Sequence, residues 1–398
     1  MKPTVVAGDR RDDDHPHGGP AGPGRDLGDR GGGGRPATAL RRVGAAIGPD
    51  LRAALPGWIA GRVLVAVAAL VADFAIGRWR REVGPPPMRY GLFAWDGNFY
   101  RGIAEQGYLA IDQEAIRFFP LYPQLGVNGA GLLVLAWVAA LAAGAVVHRL
   151  TLDITGDTAV ARRAAFLVGV APPSFVLVWA YSESLFMTLA AAALLAMLRR
   201  RWWLAGGLGA LAALCRPTGA LLALAAGVEG LRGWRAASRT ERLARLVAVG
   251  APLVATAGWY AWVGANYGDV GVGLDEQERL RHGFVDPLTS LGRSAEQLFT
   301  GGFAGHHLPF ALGLVALVVL AARRLPAGLS VFAGATVVAA LSAGNLDSIE
   351  RYGLSAVPLV VVAATVARTR AQAVTGAVLS CVLFVVLCSY AWYGLYVP

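Results

Sequence analysis

Residues 125–148 read LGVNGAGLLVLAWVAALAAGAVVH, a stretch of 24 residues without a lysine, arginine, aspartate or glutamate. An α-helix rises about 1.5 Å per residue, so a stretch of this length crosses the roughly 30 Å hydrocarbon layer of a bilayer. Comparable apolar stretches recur at residues 56–76, 164–181, 183–198, 203–230, 246–265, 306–322, 327–344, 353–367 and 371–394. The bilayer core offers no water to the backbone, so each spanning segment must satisfy its own hydrogen bonds, as an α-helix does. The sequence therefore predicts an all-α polytopic membrane bundle of about 9–11 helices with a long first external loop.

The charged residues lie mostly between these stretches and are basic overall. They make up 16% of the chain, the formal net charge is +10, and Lys2 is the only lysine among 36 basic residues. Basic residues that flank apolar spans are typical of membrane loops. They leave no soluble domain to present a basic surface, so we expect no nucleic-acid partner. The three cysteines lie within apolar stretches and lack the spacing of a disulfide framework or a zinc site.

The N-terminal segment differs from the rest of the chain. Residues 1–45 are polar and rich in glycine, proline, aspartate and arginine. Such a composition cannot bury a core, so we predict a disordered cytoplasmic tail. Residues 46–398 then form a single multi-pass membrane domain.

Five arginine-rich connections set the predicted orientation. They hold Arg149, Arg162 and Arg163; Arg199, Arg200 and Arg201; Arg232, Arg235, Arg239, Arg242 and Arg245; Arg323 and Arg324; and Arg368 and Arg370. Placing these connections and the tail in the cytoplasm satisfies the positive-inside rule for a multi-pass protein of the plasma membrane. The connections at 77–124, 181–183, 266–305 and 345–352 then face the non-cytoplasmic side, and they carry most carboxylates of the membrane domain.

This orientation requires residues 203–230 to enter the membrane and return on the same side. The block contains Arg216–Gly219 (RPTG), and proline removes a backbone donor and interrupts a helix. We therefore predict a helical hairpin that turns at Arg216. A single long tilted helix is the alternative, and it would place five arginines outside the cytoplasm.

The first external loop holds the most distinctive motifs. They are Trp95–Tyr100 (WDGNFY), Ile103–Tyr108 (IAEQGY) and Phe118–Pro123 (FFPLYP). Aromatic residues also belong at a membrane interface for structural reasons. Asp96 could equally serve as the N-cap of a helix.

Three further blocks place charged residues on the same predicted face as Asp96. They are Tyr181–Ser184 (YSES), where the hydroxyls and Glu183 could instead cap a helix, the RPTG block, and Glu350–Tyr352 (ERY). An arginine inside an apolar block, such as Arg216, is costly unless it faces a partner or water. Arg351 could also be an ordinary snorkelling side chain. Converging carboxylates and arginines suit a phosphate-bearing substrate, because the guanidinium fork matches phosphate oxygens.

In these motifs the chain resembles the GPI mannosyltransferase 2 family of the GT-C glycosyltransferase superfamily, with an actinobacterial relative as the expected type. The WDGNFY, IAEQGY and FFPLYP run resembles that family's first lumenal loop, and the YSES, RPTG and ERY blocks follow in the same order. The resemblance covers residues 90–360. The chain departs from the family pattern at Ala94, where relatives often have a polar residue, and at Thr218, where they usually have asparagine.

The resemblance implies a GT-C-like fold and transfer of mannose, with inversion, from a polyprenyl-phosphate donor to a glycan or glycolipid acceptor on the non-cytoplasmic face. It also implies that Asp96 is the catalytic carboxylate. We assign donor-phosphate binding to Arg351 and Arg216. Substrate binding or orientation is assigned to Trp95, Tyr100, Tyr122, Glu183 and Glu350. The acidic outer face could recruit a divalent cation, although no ligand spacing supports a metal site.

Two other classes of function fit parts of the sequence. A transporter or flippase of lipid-linked sugars would also use interrupted helices and polar sites within the membrane. The chain shows no internal repeat, but the interrupted 203–230 block favours that alternative. A non-catalytic membrane scaffold is the third possibility, and the crowded charged face argues against it.

Overall fold

The computed structural model describes residues 36–79, 86–281, 283–300 and 303–398, with side chains described from Gly48 onward except at residues 303 and 304. The predicted tail, residues 1–45, lies outside the described residues apart from a helical backbone that begins at Pro36. The division of the chain at residue 46 therefore stays a prediction.

Within the described residues all regular secondary structure is helical, which confirms the predicted all-α class. The first eight α-helices are α1 (Pro36–Trp79), α2 (Asp96–Gln106), α3 (Leu121–Gly126), α4 (Gly129–Thr155), α5 (Thr158–Val170), α6 (Glu183–Leu198), α7 (Trp202–Cys215) and α8 (Leu222–Leu231). The next eight are α9 (Arg239–Tyr267), α10 (Val272–Arg281), α11 (Pro287–Thr300), α12 (His307–Arg324), α13 (Ala327–Leu341), α14 (Ile349–Ser355), α15 (Val357–Ala364) and α16 (Arg370–Tyr393).

Five of these helices are long and apolar enough to cross a membrane. They are α1 from Gly48 onward, α4, α9, α12 and α16, with 18 to 32 residues each. Large apolar side chains point away from the bundle on these helices, for example Leu70 at 72% exposed and Val254 at 71%. A protein surrounded by water rarely exposes so much apolar surface, whereas lipid accepts it. The chain is therefore a multi-pass membrane protein.

The connections between the helices gather at two ends of the bundle. Contacts at one end join the predicted arginine-rich connections: Arg199 with Asp153, Arg200 with Glu241, and Arg163 with the main-chain oxygen of Ala367. Arg324 at the end of α12 also donates to the Thr365 hydroxyl at 2.7 Å. The external-loop motifs lie at the opposite end. The arrangement agrees with the predicted alternation, and the side of the membrane that each end faces stays a prediction.

Residues 203–230 form the predicted helical hairpin. The backbone of Arg216, between α7 and the segment that leads into α8, is extended, with φ −152° and ψ 148°. Both open ends of the hairpin reach Arg245 of α9. The Arg245 guanidinium lies 5.3 Å from the Trp202 ring and donates to the Gly230 carbonyl oxygen at 2.7 Å. The two arms therefore run in opposite directions, and the alternative of one long tilted helix is wrong.

The predicted span at 164–181 is not one continuous helix. Helix α5 ends at Val170, and the chain returns to α6 through buried, irregular backbone that includes a short 3₁₀ segment. The main-chain N–H of Ala180 donates to the Leu92 carbonyl at 2.9 Å, and the Trp137 indole donates to the Val178 carbonyl at 2.8 Å. Irregular backbone within a membrane domain is tolerated where protein surrounds it. Here it brings the start of α6 into the interior.

Helices α1 and α5 cross with their backbones almost in contact. A Cβ atom on Gly57 would lie 2.6 Å from the main-chain oxygen of Phe166, and one on Gly169 would lie 2.1 Å from that of Gly57. Small residues at such positions allow membrane helices to approach closely, where dispersion contacts replace the hydrophobic effect. Glycine is therefore required at this crossing for space.

We expect Gly169→Ala to destabilise the bundle, because both colliding partners are backbone atoms and cannot move aside. Overpacking of this kind costs about 1–3 kcal/mol. The measurement is the thermal midpoint of the purified protein in detergent. Gly77→Ala in α1 is the matched control, because a Cβ there meets nothing within 4 Å. Equal midpoints for the two variants would contradict the close crossing.

Candidate active site

A cavity of about 300 Å³ lies at the end of the bundle opposite the arginine-rich connections. The start of α2, the segment before α3, the Arg216 turn, α9, α10, α13 and α14 contribute to its wall. Its polar lining includes Asp96, Tyr100, Arg117, Arg216, Thr218, Gln277, Arg281, Arg351 and Tyr352. Among the described lining residues, Asp96 is the only carboxylate.

Asp96 is held by an arginine from a distant part of the chain. Its Oδ2 accepts a hydrogen bond from Arg351 Nη1 at 2.5 Å, and its main-chain N–H donates to the Tyr181 hydroxyl at 3.2 Å. The preceding residue, Trp95, has a φ of 56°, which is uncommon outside glycine and frequent at functional sites. Trp95 occupies the N-cap position of α2. The helix-capping alternative for Asp96 is therefore wrong.

Glu183 joins the two arginines that the sequence predicts at the site. It is fully buried, its Oε1 forms an ion pair with Arg216 Nη1, and the same oxygen lies 3.4 Å from Arg351 Nε. Ser182 makes no capping bond to α6, and its hydroxyl lies 2.7 Å from the Tyr100 hydroxyl. The capping alternative for this block is therefore also wrong. Glu183 neutralises buried positive charge, which would be costly without a partner.

The RPTG block places Arg216 at the cavity. Pro217 begins a short 3₁₀ segment directly after the extended Arg216, and Gly219 packs against the end of α7. A Cβ on Gly219 would lie 2.4 Å from the main-chain nitrogen of Ala213. The glycine therefore allows the returning arm to press against the first arm, so that the turn is tight enough to direct Arg216 inward.

The structure adds two cavity arginines, Arg117 and Arg281, to which sequence reasoning gave no role. Arg117 lies 4.5 Å from the Phe118 ring and pairs with Glu114 at 2.9 Å. Arg281 Nη2 donates to the Tyr352 hydroxyl at 3.2 Å, and the guanidinium makes no ion pair with a carboxylate of the described chain. Arg117 directly precedes the FFPLYP motif, which could have drawn attention to it. Nothing in the local sequence marks Arg281.

Two acidic groups report the electrostatic potential of the cavity. Burial raises the pKa of the Asp96 carboxyl, but the charges of Arg351, Arg117 and Arg216 outweigh it and hold that pKa below its ordinary value. The pKa of Tyr352 is also lowered despite burial, because Arg281, Arg351 and Arg216 surround the phenol. Positive potential favours the charged form of an acid. The cavity is therefore suited to bind an anion.

One wall of the cavity is apolar and belongs to membrane helices. Trp259, Tyr260 and Val263 come from α9, Leu221 follows the Arg216 turn, and Ala340 lies near the end of α13. Helix α9 is one of the five helices that can span a membrane. The cavity therefore combines a cationic end with an apolar wall, as a site for an amphipathic ligand would.

Comparison with known proteins does not assign a family. No protein-family model matches the chain, and no curated protein matches it. Among solved structures it is similar to the archaeal oligosaccharyltransferase AglB from Archaeoglobus fulgidus, in complex with an inhibitory peptide and a dolichol-phosphate. The TM-score is 0.39 and the identity 15%, over 83% of this chain and 56% of that protein, so this chain spans little more than half of its length. A likeness of this degree establishes neither a shared family nor a shared activity.

Five of the eight predicted site residues meet at the cavity. Asp96, Tyr100, Arg216 and Arg351 line it, and Glu183 lies directly behind the two arginines. The other three predicted residues, Trp95, Tyr122 and Glu350, do not line it.

The structure gives these three residues packing roles instead. The Trp95 indole donates to the Ala391 carbonyl at 2.9 Å, which ties α2 to α16. The Tyr122 hydroxyl donates to the Leu132 carbonyl at 2.9 Å inside the core. Glu350 is buried and binds His307 and Tyr396. Local motifs pointed to these side chains, but each is directed to a structural partner, and their contact with substrate stays a prediction.

A divalent cation finds no preformed site in the described part of the chain. No group of three or more histidine, cysteine, aspartate or glutamate side chains is placed to hold a metal ion there. Oxygen-rich coordination is what magnesium and calcium require.

We expect Glu183→Gln to destabilise the protein, because it leaves Arg216 and Arg351 short of a buried negative partner. Breaking a buried ion pair on one side costs about 3–5 kcal/mol, whereas exposed pairs contribute about 0–1 kcal/mol. Thermal midpoints in detergent measure the difference. Asp153→Asn is the control, since its pair with Arg199 is partly exposed. A midpoint for Glu183→Gln within a degree of that control would show that Glu183 does not compensate the arginines.

Proposed function

We propose that this chain is an integral membrane glycosyltransferase that moves a sugar from a polyprenyl-phosphate donor to an acceptor hydroxyl, with Asp96 as the general base. The observation that carries the proposal is one ionised carboxylate facing a cavity whose remaining charges are cationic and whose far wall is apolar. These groups would supply the base, the phosphate site and the lipid contact that such a reaction needs. Mannose as the sugar rests on the motif resemblance alone.

Arg281 is the guanidinium best suited to bind the donor phosphate. The sequence suggests Arg351 and Arg216 for this role, but these two are already compensated by Asp96 and Glu183. Arg117 pairs with Glu114, which leaves Arg281 as the described lining arginine without a carboxylate partner. A phosphodiester between a polyprenol and a sugar carries one negative charge, so the uncompensated charge of Arg281 matches it.

The proposed reaction needs one base and one electrostatic site. The acceptor oxygen attacks the anomeric carbon and loses its proton to Asp96, while the bond from that carbon to the phosphate oxygen breaks. Oδ2 of Asp96 is bound by Arg351, so Oδ1 is the oxygen that would take the proton. The electron pair leaves with polyprenyl phosphate, whose new negative charge the arginines stabilise. Attack opposite to the leaving group inverts the anomeric centre.

The apolar wall gives the polyprenyl chain a place next to the phosphate site. Trp259 and Val263 lie on a helix that can span the membrane, so the lipid could remain in the bilayer while its phosphate reaches Arg281. Because the chain comes from lipid and not from water, dispersion contacts with this wall add the affinity, and they add no charge. The acceptor would approach from the aqueous side of the same cavity. That side is non-cytoplasmic if the positive-inside orientation holds.

A transporter of lipid-linked sugars is the second candidate, favoured by the interrupted hairpin at Arg216. Transport requires binding of the phosphate but no proton transfer from the sugar acceptor. A carboxylate at Asp96 that accepts a proton would therefore distinguish the two functions.

We expect Asp96→Asn to reduce sugar transfer about 10²–10⁴-fold, because the amide cannot accept the proton. The assay follows radiolabelled sugar from polyprenyl-phosphate mannose onto an acceptor with purified protein in nanodiscs. Arg281→Gln should instead raise the KM for the donor, and Arg279→Gln on the same helix is its control, since Arg279 is paired with Glu276 and does not line the cavity. Normal transfer by Asp96→Asn would exclude the base role, whereas no transfer by the unmodified protein would favour transport.

The pH profile gives a further prediction. Asp96 must be ionised to act, and its pKa is held below the ordinary value, so transfer should persist at pH values down to about 4. Arg351→Gln removes the largest charge that lowers this pKa while burial remains. The pKa of Asp96 then rises, and the acid limb of kcat/KM moves to higher pH. An acid limb at the same pH in both proteins would show that Arg351 does not tune the base.

A further inference from the structure

A second hollow lies against α2, outside the cavity that holds Asp96. Its volume is about 190 Å³, and it forms between the exposed side of α2 and the segment that follows that helix. Its polar lining consists of Asn98, Arg101, Glu105, Gln106 and Asp112. None of these residues belongs to the cationic cavity.

The polar groups of this hollow are largely unused by the described part of the protein. The side chains of Asn98, Gln106 and Asp112 make no hydrogen bond there. Arg101 and Glu105 lie 3.8 Å apart and are both partly exposed, and Glu105 Oε1 also accepts a hydrogen bond from the main-chain N–H of Gly129 at 3.2 Å. Two carboxylates, two amides and one guanidinium offer donors and acceptors together, which is what neutral hydroxyl groups require. Carboxylates outnumber guanidiniums in this hollow, so it disfavours binding of the anionic sugar donor.

An aromatic wall joins the hollow to the cavity. The Phe99 ring faces the hollow and stacks on the Phe118 ring of the cavity, with centroids 5.3 Å apart. The Arg117 guanidinium lies 5.2 Å from the first ring and 4.5 Å from the second. The apolar face of a pyranose ring packs well against such a surface. The two sites therefore share this aromatic pair as part of their walls.

Helix geometry fixes how the hollow relates to the base. Asn98 follows Asp96 by two positions, which places it about 200° around the helix at ~3.6 residues per turn. The two sites therefore lie on opposite faces of α2, separated by about the 10–12 Å width of a helix. A sugar that carries the attacking hydroxyl beside Asp96 cannot also fill the hollow. A second or third unit of the same glycan can reach it.

We propose that this hollow is an acceptor subsite that binds a neutral saccharide unit one or two residues away from the attacking sugar. The proposal rests on the proposed glycosyltransferase function and adds to it that the acceptor is an oligosaccharide. It assigns positioning of the acceptor to Asn98 and Gln106, with Phe99 as the stacking surface.

Gly102 allows the hollow to be blocked without removing a polar group. A Cβ at this position would lie 3.7 Å from Ile111 Cδ1, an ordinary contact, so a leucine can be accepted and its longer side chain would occupy the hollow. Gly227→Leu in α8 is the matched control, because a Cβ there meets nothing within 4 Å. Asn98→Ala combined with Gln106→Ala is the second test variant. Both replaced side chains are exposed, so the fold should be retained.

Hydrogen–deuterium exchange with mannotriose tests binding independently of catalysis. We expect the trisaccharide to slow exchange of peptides that cover residues 98–112 in the unmodified protein and in Gly227→Leu. Gly102→Leu and the double variant should lose this protection. Absence of protection in the unmodified protein, or equal protection in Gly102→Leu, would overturn the subsite.

Transfer kinetics separate this inference from the function on which it rests. The unmodified protein should show a lower KM for mannotriose than for methyl α-mannoside, and Gly102→Leu should reduce that preference about 10-fold, equivalent to ~1.4 kcal/mol. A preference that survives in Gly102→Leu contradicts the subsite while the glycosyltransferase function stands. If no sugar is transferred to any acceptor, the glycosyltransferase function fails, and the exchange measurement alone decides whether the hollow binds saccharide.

Discussion

The candidate site depends on the compensation of buried positive charge by Glu183. Two guanidiniums approach each other at the interior end of the cavity, Arg216 from the hairpin turn and Arg351 from α14. Like charges at such short range in a poorly solvated interior would repel strongly. The carboxylate between them removes that cost. Arg351 can then also bind Asp96, so the position of the proposed base follows from the position of Glu183.

Interrupted helices make this cluster possible in a membrane domain. Glu183 begins α6 after irregular buried backbone, Arg216 occupies an extended break between two half-length arms, and Arg351 lies in the first turn of the short helix α14. A charged side chain within a membrane domain is costly unless it faces a partner or water. Each interruption brings one charged residue inward, and the surrounding helices supply partners for the freed backbone groups.

Hydropathy and arginine placement predicted the helical class, the order of the spans and the hairpin, because each depends on properties of a continuous segment. The same reasoning pointed to Glu183, Arg216 and Arg351, since a charge in or beside an apolar block is costly wherever it occurs. Asp96 was singled out by the motifs of the first external loop and their family resemblance. Motif membership did not distinguish side chains that face the cavity from those that pack elsewhere, as Trp95 shows. Arg281 could not be found, because only tertiary contacts bring its exposed helix to the site.

The pairing of Asp96 with Arg351 has a consequence for charge in the proposed reaction. Before transfer the cavity would hold two negative charges, one on Asp96 and one on the phosphodiester donor. Afterwards Asp96 is neutral, and the released phosphate monoester can carry both. The total is unchanged. Arg351 loses the charge of Asp96, one of its two carboxylate neighbours, at the moment when a neighbouring anion gains charge. Fixed cations then need little reorganisation as the charge moves, which is the condition under which electrostatic stabilisation lowers a barrier most.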